Sequence, residues 1–72
     1  MNEPTRSYTL AEALPMEQSR VRELLVQYKA IGPAGAFGAA MLEQALSDAD
    51  KAAAEQDTVA MLRAYQQLEQ CE

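Results

Sequence analysis

Glycine occurs three times in this chain, always within Gly32-Pro33-Ala34-Gly35-Ala36-Phe37-Gly38, and the cluster lies in a run from Ile31 to Leu42 that has no polar side chain. A segment of this kind is buried, lets two backbones approach closely, or offers bare amide groups to a ligand. It separates two stretches with strong helical patterns. Any fold for this chain must therefore turn at the glycines, and any site has a natural place there.

The flanking pattern is helical throughout. Val21, Leu24, Leu25, Tyr28 and Ile31 recur at i, i+3, i+4 and i+7, which predicts a helix over 15–31 with one apolar stripe. Glu17 in its first turn and Lys29 in its last complement the helix dipole. Gly32 fits a left-handed C-cap, and Pro33 forbids continuation. Upstream, Thr9-Leu10-Ala11-Glu12 has capping-box spacing, so a short helix is expected over 9–14, ended by Pro15. Residues 1–8 read as a loose tail.

Downstream, a helix is expected over 34–56, with Leu42, Ala45, Leu46, Ala49 and Ala53 as its stripe. Asp57 caps a third helix over 58–70, whose apolar face carries Met61, Leu62, Tyr65 and Leu68. Ala49–Leu68 resembles one tetratricopeptide hairpin, but a single copy without a 34-residue period excludes a solenoid. No segment alternates with period two. The fold expected is all-α: one small three-helix domain with a short N-terminal helical turn.

Size then bears on assembly. A chain of 72 residues buries only ~60% of the surface that it exposes when unfolded. With one cysteine, Cys71, and no clustered metal ligands, nothing else supplements that core, so a homo-oligomer is expected. Histidine is absent, which removes the commonest general base and most zinc sites. No cofactor, no metal and no catalytic residue are expected, and the chain reads as a non-enzyme. Met1–Pro15 has no apolar signal region, and twelve apolar residues fall short of a span of about 20. A cytoplasmic protein without membrane contact is expected.

The net charge is −5, and it is unevenly placed. Acids and bases balance over residues 1–33, whereas Glu43, Asp48, Asp50, Glu55 and Asp57 face Lys51 alone over 43–57. Direct nucleic-acid binding needs a basic stripe, and there is none. Asp48-Ala49-Asp50 begins like a calcium loop, but Ala53 stands where glycine is required and Val59 where glutamate is. Asp48 and Asp50 diverge on a helix and form no catalytic dyad. Glu43, Ser47 and Asp50 share one face, expected to be solvated.

Two binding readings remain open. In the first, the start of the second helix offers unpaired amides and a positive dipole end to a phosphate. The site would comprise Lys29, Gly32, Gly35, Ala36 and Phe37, with Arg20 and Arg22 from a neighbouring subunit and Tyr28 or Phe37 stacking on a base. A helix terminus contributes only about 0.3–1 kcal/mol, whereas micromolar affinity needs ~8 kcal/mol, so several subunits would have to converge. In the second, the acidic face docks on a host protein that binds nucleic acid or on a CRISPR or other regulatory protein, and inhibits it.

The lead Tyr8-Thr9-Leu10, the basic helix ending in Lys29-Ala30-Ile31-Gly32 and the glycine-containing helix after it resemble, over residues 8–46, small helical proteins that bacteriophages use against host defences. The nearest layout is that of oligomeric sponges for cyclic nucleotide signals. The resemblance implies an all-α oligomer in the host cytoplasm that holds a small anionic nucleotide without destroying it.

Overall fold

The computed structural model describes Thr9–Glu72. Three helices follow in order: α1 (Leu10–Ile31), α2 (Ala36–Glu55) and α3 (Thr58–Glu69), with one 3₁₀ turn, Pro33–Gly35, between the first two. Among the described residues there is no strand, so the chain is all-α. Each helix packs on the other two. The expected tail over residues 1–8 lies outside the described residues.

The predicted break at Pro15 does not occur. α1 runs unbroken through it, merging the short helix expected over 9–14 with the one expected over 15–31. Proline in a helix interior removes a backbone bond and costs about 3 kcal/mol. Two features offset that cost. Thr9 Oγ1 accepts from the Glu12 amide at 3.2 Å while Glu12 Oε1 accepts from the Thr9 amide at 3.1 Å, so the capping box is complete. Leu14, immediately before the proline, is buried at the core, and only a helix that continues past Pro15 aligns it with Gln18 and Val21.

The described residues extend over 43 × 32 × 14 Å along their principal axes. A helix with side chains is about 10–12 Å across, so the core is one side chain deep. Among the described residues it contains ten buried hydrophobic ones, half of them alanines (Ala39, Ala45, Ala49, Ala52 and Ala64), and only Leu14, Val21 and Leu68 are large and fully enclosed. Small residues bring α2 close to its neighbours, as its alanine-rich stripe predicts.

The stripes differ from expectation at their edges. Leu24, Leu25 and Tyr28 are half-buried, Ile31 is exposed, and Gln18 is buried in line with Leu14 and Val21. On α3, Leu62 is exposed and Ala64 takes the core position. Periodicity locates a helix's apolar face, but which edge is covered depends on where the neighbouring helix arrives. The apolar run 31–42 is mostly not interior: only Gly35, Ala39 and Leu42 are buried, while Phe37 stands 79% and Met41 58% exposed.

Candidate functional site

The glycine corner is a seat for Tyr28. A Cβ on Gly35 would collide with the Tyr28 carbonyl, and one on Gly38 would collide with the Tyr28 ring. The Tyr28 hydroxyl donates to the Glu72 carbonyl, which ties the end of the chain to α1. Gly32 has a different role. Its φ of 86° and ψ of −146° lie in a region that glycine alone adopts readily, outside the left-handed helical well expected of it.

The amides expected to be bare are partly used. Gly35 N–H donates to the Gly32 carbonyl at 2.9 Å, and Ala36 N–H donates to Pro33 within the 3₁₀ turn. The expected helix over 34–56 thus opens two residues late, and its approach turn consumes donors that an anion would need. Gly35 is buried beneath Tyr28.

The three candidate cations also have partners within the chain. Arg20 Nη2 donates to the Leu68 carbonyl at 2.8 Å and Nη1 to the Cys71 carbonyl at 3.2 Å, while Nε and Nη2 bond Glu17 at 3.1 and 3.0 Å. The guanidinium therefore caps the C-terminus of α3, whose last carbonyls lack helical partners. The Glu17 hydrogen bond raises its pKa, against a smaller desolvation cost. Arg22 Nη2 meets Asp50 Oδ1 at 3.0 Å, and Lys29 Nζ meets Glu43 Oε2 at 2.8 Å.

Of the eight residues proposed from the sequence, Tyr28 and Gly35 therefore come together through packing. Arg20 faces α3, Arg22 and Lys29 face α2, and Phe37 points to solvent. Gly32 and Ala36 take part in the turn itself.

The face carrying Glu43, Ser47 and Asp50 is solvated, as expected, and two of its carboxylates also meet partners on α1. Asp50 Oδ1 accepts from Gln18 Nε2 at 2.7 Å as well as from Arg22, and Glu43 pairs with Lys29. The basic edge of α1 is thereby matched in register to the acidic edge of α2. Both ion pairs are solvent-exposed, so each adds at most about 1 kcal/mol. Gln18, only 8% exposed, makes the more enclosed contact. Sequence reading missed Gln18; its signal is its i+4 and i−3 spacing to Leu14 and Val21.

A cavity of about 390 Å³, open on one side, lies between α2, Tyr28 and the end of α3. Met41, Leu42 and Ala45 form its apolar wall, with Gln67 and Cys71 opposite. Burial raises the pKa of the Cys71 thiol, and the Arg20 charge opposes the shift. Its Sγ–H points to the Gln67 carbonyl at 3.6 Å. The neighbouring Glu69 carboxylate, and then desolvation, raise the pKa of Tyr65.

Among the described residues no group of three or more His, Cys, Asp or Glu is placed to hold a metal ion, and no helix is long and apolar enough to cross a membrane. Compared with protein-family models, with curated proteins and with solved structures, the chain matches none.

Proposed function

We propose that this chain is a non-catalytic binding protein that docks on a basic protein surface and masks it. The observation that carries this reading is where its charges go. Arg20, Arg22 and Lys29 are each held in an ion pair within the chain. Among the described residues that leaves Lys51 and Arg63 against seven side-chain carboxylates outside any ion pair, among them Glu23, Asp48, Glu55 and Glu69. The outward field is negative and favours a cationic partner.

The rival reading, an oligomer that sequesters an anionic nucleotide, requires Arg20, Arg22 and Lys29 to exchange their partners for phosphate. For Arg20 the exchange would also uncap α3. Either mode suits the counter-defence role that the resemblance implies.

The test is retention on an immobilised lysine-rich peptide at low and at high salt, with wild type compared to an Asp48→Lys/Glu55→Lys variant. Asp50 is spared because it joins α1 to α2. Wild type should be retained at low salt and released at high salt, because exposed charge pairs are screened, and the variant should pass through. Equal retention of both proteins rejects the reading. Calorimetric heat with a cyclic nucleotide, abolished by Lys29→Ala, would restore the rival.

A further inference from the structure

We propose that the cavity between α2 and the end of α3 receives the apolar face of a basic amphipathic helix from the partner; this rests on the docking reading above and names its seat. The cavity, about 390 Å³ in volume, has a wall of Met41, Leu42 and Ala45 and opens to solvent. Phe37 does not line it but lies one helical turn before Met41 on the same side of α2, and both side chains are more than half exposed. Two apolar anchors about 5–6 Å apart along a helix, beside a cleft between two helices, match the spacing at which an amphipathic helix presents its own side chains.

The charge of the surroundings selects the partner's sign. Among the described residues no cation lines the cavity, whereas Glu72 does. Along α2 the stripe from Phe37 and Met41 continues through Gln44 to Asp48, whose carboxylate accepts from Gln44 Nε2 at 2.9 Å and is thereby oriented. Lys29 is paired with Glu43, and Arg20 with Glu17 and the end of α3. An acidic peptide would find apolar contact and repulsion. A basic one finds apolar contact and attraction at the rim, where charge acts on association rate and specificity.

The experiment is fluorescence anisotropy with a labelled Lys/Leu amphipathic peptide of about 18 residues, roughly 27 Å as a helix, and a Lys/Ser peptide of equal charge. Two variants add the same charge at different exposed apolar positions: Met41→Asp at the cavity, and Val26→Asp on α1, which does not line it. Both should keep the wild-type circular dichroism spectrum. Met41→Asp should weaken Lys/Leu binding at least about tenfold, as expected for an interface anchor, although it makes the protein more acidic. Val26→Asp should leave binding unchanged or tighten it.

If both variants bind as tightly as wild type, the groove is not the seat and only diffuse acidic docking survives. If wild type binds neither peptide, the docking reading falls as well. A wild-type dimer in sedimentation that Met41→Asp dissolves would assign the groove to a second copy and overturn the inference. So would a small apolar dye bound in the cavity that the Lys/Leu peptide does not displace.

Discussion

Between α1 and α2 the chain turns through Gly32, one 3₁₀ turn and the buried Gly35; between α2 and α3 it turns through Gln56 and Asp57 alone. The first connection needs glycine for two unrelated reasons: a positive φ at Gly32, where a Cβ would stand in open space, and a lack of room beneath Tyr28 at Gly35. The second uses no glycine. Gln56 sits in the left-handed region at φ 55° and ψ 34°, and its N–H bonds the Ala53 carbonyl at 3.1 Å while Asp57 N–H bonds the Ala52 carbonyl at 3.2 Å. That is a Schellman motif with glutamine in the usual glycine position. Asp57 then caps α3 by accepting from the Ala60 amide at 3.2 Å. A turn that only reverses the chain can tolerate a strained side chain, whereas a turn pressed against another helix cannot.

Substitutions can break or sharpen this contrast, and urea unfolding measures each of them. The largest loss is expected for Gly35→Ala, about 3 kcal/mol, because the new Cβ meets the Tyr28 backbone and cannot be relieved by a rotamer change. A loss below about 1 kcal/mol would show the seat to be soft and erase the distinction. Gly32→Ala should cost about 1–2 kcal/mol of purely backbone strain. Gly32→Asn should cost as much, since ψ of −146° lies outside the well that asparagine tolerates; a clear rescue by Asn would sink that account.

Smaller effects are expected at the second turn. Asp57→Ala should lose about 1 kcal/mol through the missing cap. Gln56→Gly should gain about 0.5 kcal/mol, because relief of the left-handed strain exceeds the greater chain entropy of glycine in the unfolded state. If Gln56→Gly destabilises instead, the glutamine side chain contributes something that its exposed position does not reveal.

Pro15 illustrates how a local rule can be overridden. The proline itself argues for a stop, yet Leu14 reaches the core only if the helix continues, and the Thr9 cap secures the turn before it. Ile31 and Leu62 fail in the opposite sense. Both match their stripes, and both are exposed because no neighbour covers that edge. At the candidate site, the glycine spacing pointed correctly to close approach. It could not reveal that Tyr28 supplies the surface, nor that the 3₁₀ turn consumes the amides of Gly35 and Ala36.

What the amino-acid order alone determined is local: helical character on either side of each turn, though not continuity through Pro15, the Thr9 and Asp57 caps, and the stop at Gly32-Pro33. These depend on residues three or four apart, whose geometry a helix dictates. The tertiary structure decided which charges are consumed and where a cleft remains. Arg22 reaches Asp50, Arg20 reaches Leu68, and Tyr28 reaches Glu72 across separations of 28, 48 and 44 residues. No periodicity encodes those pairings, because they depend on how three rods are set against one another.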